Sequence, residues 1–72
     1  MKSLAGKLNN WFQYHALSAV DQVKCMAIRN AAFAFAEAIV SNTPLCEDQA
    51  AAIRKVREAV MTANAAIACK GT

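Results

Sequence analysis

Ser41-Asn42-Thr43-Pro44-Leu45-Cys46-Glu47-Asp48 is the stretch on which the fold turns. Pro44 is the one proline, and no glycine occurs between Lys7 and Lys70. Alanine, which dominates the flanks, has the highest helix propensity, whereas an interior proline costs about 3 kcal/mol. The chain therefore reads as helix, break, helix. Asn42 tolerates the left-handed conformation that ends helices. Thr43 is expected to cap the second helix, with Pro44 at its first position. Glu47 and Asp48 then place negative charge at the positive end of the helix dipole.

Upstream, Ser18 with Asp21 three residues later resembles a capping box. Helix one is expected over about 18–42 and helix two over about 44–70, with Lys70 and Gly71 as the stop signal. Residues 1–17 form an N-terminal arm or short helix in which Leu4, Leu8 and Trp11 share a face. Gln13 to Leu17 is expected to bend. The whole chain, 1–72, is one domain at most.

A turn at 44 sets the pairing of an antiparallel hairpin. Ile28 falls opposite Val60, Ala32 opposite Val56, Phe35 opposite Ile53 and Cys25 opposite Ala63. The apolar strings 25, 28, 32, 35, 39 and 49, 53, 56, 60, 63, 67 both follow heptad spacing, so two independent patterns meet in register. The expected fold is all-α: an antiparallel two-helix hairpin with a short N-terminal helix or arm.

A chain of 72 residues buries only about 60% of its unfolded surface, and such small cores usually need a staple, a metal or a partner subunit. The three cysteines, Cys25, Cys46 and Cys69, are odd in number, far apart and follow no secretory signal, which argues against disulfides and for a reduced, cytoplasmic setting. No CxxC or HxxxH pair occurs and His15 is the single histidine, so no metal is expected. No cofactor is expected. The apolar stretch from Ala31 to Val40 contains Glu37 and is too short to span a membrane. Oligomerisation remains. Met26, Phe33 and Val40 repeat every seven residues on helix one as a second apolar stripe, an expected interface between subunits. The alternative is a three-helix monomer in which the arm covers that stripe. Ala31, Ala34, Ala38 and Ala59 permit close helix–helix approach.

No nucleophile elbow, phosphate-binding glycine loop or useful carboxylate pair is present, which disfavours an enzyme. The net charge of +3 permits an anionic ligand without demanding a nucleic-acid polymer. Two groups point to binding. In Trp11-Phe12-Gln13-Tyr14-His15, Trp11 and Phe12 read first as anchors of the arm. Tyr14 and His15 have polar tips suited to a ligand, and Phe12 stays in the candidate set because stacked rings hold flat bases. On helix two, Arg54, Arg57, Met61 and Asn64 lie on one face. Guanidinium groups grip phosphate oxygens bidentately. Asn64, set among alanines, requires a polar partner. Arg29 on helix one is similarly placed. Its partner is either a carboxylate such as Glu37 or Glu58, or a ligand.

The strings Phe12-Gln13-Tyr14-His15, Asp21-Gln22-Val23, Ile28-Arg29, Pro44, Ala52-Ile53-Arg54-Lys55-Val56-Arg57-Glu58-Ala59-Val60-Met61 and Ala63-Asn64-Ala65-Ala66-Ile67-Ala68 resemble a group of small phage proteins. These are the Acb/Tad helical-hairpin domain family. The resemblance spans about residues 12–70. It implies an anti-defence sponge that sequesters, without degrading, a cyclic oligonucleotide or a cyclic ADP-ribose-type messenger of CBASS or Thoeris immunity. It also implies a homo-oligomer, typically a hexamer, with pockets between subunits. There Arg29, Arg54 and Arg57 from different chains would converge. The competing expectation is a protein-interaction module that docks on a host or phage protein through Met26, Phe33 and Val40.

Overall fold

A computed structural model describes residues 3–71. They form three helices in chain order: α1 (Leu4–Trp11), α2 (Ala19–Asn42) and α3 (Glu47–Ala68). No strand occurs among the described residues. The two long helices pack antiparallel as a hairpin, and α1 lies at its open end.

Each boundary has a local cause. At the start of α2 the Ser18 hydroxyl oxygen accepts from the Asp21 backbone N–H at 3.1 Å, which satisfies one of the unpaired donors of the first turn. The Asp21 carboxylate turns instead to Lys70, whose Nζ donates to Oδ2 at 2.9 Å. At the end of α2, Asn42 stays helical and its Nδ2 donates to the Ala38 carbonyl at 2.7 Å. Thr43 is extended (φ −126°, ψ 151°), as the residue before a proline must be, and its hydroxyl donates to the Ile39 carbonyl at 2.6 Å.

The turn expectation is corrected in this respect. Thr43 serves the end of α2 and does not cap α3. Helix two starts at Glu47 and not near 44, so Pro44 lies in the loop. Cys46 occupies the N-cap position with no side-chain capping bond. Gln49 closes the turn by donating from Nε2 to the Thr43 carbonyl at 3.2 Å and to its hydroxyl at 3.1 Å.

α3 ends in a Schellman motif. Gly71 N–H donates to the Ala66 carbonyl at 3.0 Å and Lys70 N–H to the Ile67 carbonyl at 3.2 Å. The left-handed position after the cap belongs to Lys70 (φ 57°), with Gly71 (φ 79°) following. A lysine there bears the Cβ strain that glycine avoids. Its ion pair to Asp21 holds it in place and ties the two helix ends together.

The arm is a helix. Ser3 caps it by accepting from Gly6 N–H at 3.3 Å. Asn10 Nδ2 donates to the Cys69 carbonyl at 3.1 Å, and Trp11 shares the lining of a small cavity with Thr62, Ala65 and Ala66 of α3. Lys7 Nζ sits 5.8 Å from the Trp11 ring centroid. Phe12 is 84% exposed and does not anchor the arm.

The hairpin seam is formed by Cys25, Ile28, Ala32, Ala36 and Ile39 against Ile53, Val56, Val60, Ala63 and Ile67, all buried or half-buried. Phe35 is 60% exposed, and Ala36 takes its expected place. A straight helix drifts by about 20° per heptad, so strict heptad spacing misassigns the residue a turn further on. Among the described residues, Cys25 (5%) and Cys69 (7%) are the only buried apolar side chains, and no large side chain is fully buried. The chain exposes 5764 Å², where a folded monomer of its mass exposes about 4,300 Å². Its radius of gyration is 15.2 Å, against about 11 Å for a globular chain of this length. Met26, Phe33 and Val40 are each more than half exposed, so α1 does not cover the second stripe of α2.

Candidate functional site

Two antiparallel helices in contact leave a furrow on each side of their seam. On one side α2 contributes Arg29 and Phe33, and α3 contributes Arg57 and Met61. Each helix thus supplies an arginine followed four residues later by a large soft apolar side chain, a spacing that puts both on one helical face. Arg29 and Arg57 thus lie on different helices, one on each wall of the furrow. Ala32, Val56 and Val60 of the seam form its floor. The furrow measures about 360 Å³.

Neither arginine has an ion-pair partner among the described residues, and no carboxylate lines the furrow. The alternative partners considered for Arg29, Glu37 and Glu58, do not engage it. Two planar, permanently charged forks beside an aromatic ring and a polarisable thioether can hold an anion and a flat apolar ring together. No group of three or more His, Cys, Asp or Glu residues is placed to hold a metal ion among the described residues.

Three of the expected ligand residues thus meet: Arg29, Arg57 and Met61. Phe33, assigned from sequence to the subunit interface, joins them. The signal for it was present, since it follows Arg29 by four residues, but it was absorbed into the seven-residue stripe. The other candidates do not line this furrow in the single chain. Arg54 is exposed on the neighbouring turn of α3. Tyr14 is 88% exposed in the non-helical segment after α1. Phe12, beside it, is also exposed. His15 is half-buried, with Nε2 2.7 Å from the Asn10 carbonyl oxygen, an acceptor that places the proton on that nitrogen. Asn64 is half-buried, and its Oδ1 is fully covered with no donor facing it. The polar partner its position requires is not supplied within the described residues of one chain.

The opposite side of the seam carries a larger furrow of about 590 Å³ lined by Ile28, Ala31, Phe35, Ala52, Ala59 and other apolar residues, with Lys55 as its one charged lining residue. The two sides of the hairpin differ sharply in chemistry: one cationic and mixed, the other greasy.

The Asp21 carboxyl is perturbed. The Lys70 ammonium bonded to Asp21 holds this carboxyl below its ordinary 3.8, against the opposing effect of desolvation, with smaller help from the Ser18 hydroxyl and Lys24. This ion pair lies where the start of α2 meets the end of α3, and it reads as a structural clasp. No helix of the described residues is long and apolar enough to cross a membrane.

Compared with known proteins, the chain matches a family model described as Acb2/Tad1, hairpin domain, over residues 5–68. No curated protein and no solved structure gives a significant match.

Proposed function

Because the chain belongs to the Acb2/Tad1 hairpin-domain family, we propose that it is a phage anti-defence sponge, which binds a nucleotide-derived immune messenger and sequesters it without degrading it. Family membership is consistent with an anti-defence role. The ligand class, a cyclic oligonucleotide or a cyclic ADP-ribose-type molecule, and action in the cytoplasm of the infected host are parts of this proposal. So is assembly as a homo-oligomer, for which a hexamer is favoured.

The observation that carries the reading is the furrow bearing Arg29 and Arg57, neither neutralised by a carboxylate, around Phe33 and Met61. Phosphates suit the guanidinium groups and bases suit the ring and thioether. Sequestration needs no catalytic group. It needs affinity, and nanomolar binding requires about 12 kcal/mol. One shallow furrow on a hairpin supplies too little surface for that. In an oligomer, the exposed Phe12, Tyr14, Arg54 and the uncompensated Asn64 of neighbouring chains can complete the pocket.

Calorimetry of the purified protein against cyclic di- and trinucleotides and cyclic ADP-ribose isomers tests the proposal. Nanomolar binding of at least one, recovered chemically unchanged, is the expected result. No binding across the panel refutes it. The exposure of Met26, Phe33 and Val40 favours a second reading, a module that docks on a host or phage protein. A homo-oligomer that buries this stripe argues against that reading.

A further inference from the structure

α1 is capped and amphipathic, yet none of its residues is buried. Leu4, Leu8 and Trp11 fall on one face by their spacing. Leu4 is 70% exposed and Leu8 49%, and the helix packs little against α2 or α3. Its eight residues are fewer than the roughly 12–15 that an isolated helix needs to be stable in water. A surface that covers the face of Leu4 and Leu8 therefore also holds the helix. We propose that this surface is an anionic lipid layer, on which the open end of the hairpin docks peripherally through α1.

Charge selects the occupant. Residues 35–53, the turn end of the hairpin, contain Glu37, Glu47 and Asp48 and no Lys, Arg or His. Residues 3–24 and 64–71, the open end, contain Lys7, Lys24 and Lys70 against a single carboxylate, Asp21, which Lys70 already engages. The molecule extends 43 Å, several times the screening length of about 8 Å in physiological salt, so the two ends act as separate poles. A negative surface attracts the lysine end and repels the acidic turn, which sets the hairpin upright with α1 in contact.

The kind of cation and its neighbours favour lipid over a nucleic-acid strand. All three arginines, Arg29, Arg54 and Arg57, whose forks suit discrete phosphates, stand outside the open end. The open end uses lysines, whose apolar stems lie along a greasy surface while the ammonium stays at headgroup level. Lys7 Nζ, 5.8 Å from the Trp11 ring centroid, joins a cation to an aromatic type that favours membrane interfaces. A phosphate backbone leaves Leu4 and Leu8 in water, whereas a lipid layer buries them. No helix of the described residues is long and apolar enough to span a membrane, so the contact is peripheral. Phe12, Tyr14 and the arginine furrow take no part in it, so lipid binding and messenger binding are separable.

Vesicle flotation and Trp11 fluorescence test this on the full chain. The wild-type protein is expected to float with vesicles of phosphatidylglycerol and phosphatidylethanolamine, and not with phosphatidylcholine alone. Trp11, the single tryptophan, should shift its emission to shorter wavelength on the anionic vesicles. Lys7→Glu is expected to weaken binding by roughly tenfold or more, the effect of a cation near an anionic leaflet. Leu8→Gln, which keeps the charge, should weaken it as well. Glu47→Lys raises the net charge as much as Lys7→Glu lowers it, but at the far pole, and should change binding by less than about twofold. Should Lys7→Glu lose helicity, Lys24→Gln on α2 takes its place, with the same expected direction. Absence of flotation with the anionic vesicles overturns the proposal, as does flotation with unshifted Trp11 emission. A gain from Glu47→Lys equal to the loss from Lys7→Glu overturns it too, since net charge and not the open end would then be responsible. Retention of duplex DNA with the same lysine dependence, and no vesicle binding, would identify a nucleic-acid surface and likewise overturn it.

Discussion

Arg29 and Arg57 are charged side chains with no internal duty. Neither holds a carboxylate among the described residues, so truncating one removes no ion pair seen in the hairpin. Arg57→Ala is therefore expected to leave the helicity unchanged while weakening messenger binding by roughly 10- to 100-fold, the range of a charged hydrogen bond worth about 1.5–3 kcal/mol. Calorimetry beside circular dichroism separates the two effects. Unchanged affinity would remove Arg57 from the site. Asn64 offers the opposite case. Its covered Oδ1 lacks a donor in the single chain, and a buried polar atom left unpaired costs about 1–3 kcal/mol. If no neighbour completes it, Asn64→Leu raises the melting temperature by about 4–8 °C for each kcal/mol regained. If a ligand or a second copy completes it, the same substitution lowers affinity or the assembly's stability. The sponge proposal predicts the second outcome, read by calorimetry and thermal melts of one variant.

At the scale of the elements, the helix ends carry the specificity. Ser18→Ala removes the cap of α2 and is expected to cost about 1 kcal/mol, measured by denaturant unfolding. The Asp21–Lys70 clasp has a pH signature. Asp21 titrates below its ordinary 3.8 when folded, so the unfolded chain binds more protons in that window. The stabilisation is complete above the ordinary value and disappears as pH falls through the lowered one. Asp21→Asn should flatten this acid limb of the stability profile. Because the Lys70 side chain is 74% exposed, added salt should weaken the wild-type effect. An Asp21→Asn profile superimposable on wild type below pH about 4 would show that the clasp carries no stability.

At the scale of the whole molecule, the hairpin has almost no interior. A chain with two cysteines as the only buried apolar residues among those described gains little from folding alone, because hydrophobic stabilisation scales with area removed from water. Under the proposed self-association, assembly becomes part of folding, and the apparent melting temperature should rise with protein concentration. A melting temperature constant over a hundredfold dilution would mean that the single chain is self-sufficient.

Helices, turn and C-terminal stop were legible in the residues, because propensity, capping and the proline effect act within about four positions of chain. Ser18, the Pro44 break and the Lys70-Gly71 ending are of this kind. The exact turn was less so: whether Thr43 serves the helix behind it or the one ahead depends on a hydroxyl with acceptors and donors on both sides. Which face of each helix meets the other was decided only in three dimensions. Ala36 replaced Phe35 at the seam, and Phe33 joined Arg29 and Arg57, because a rotation of a fraction of a turn between packed helices reassigns side chains. Short-range preferences do not encode that rotation. It is set by the fit of small and large side chains across the seam.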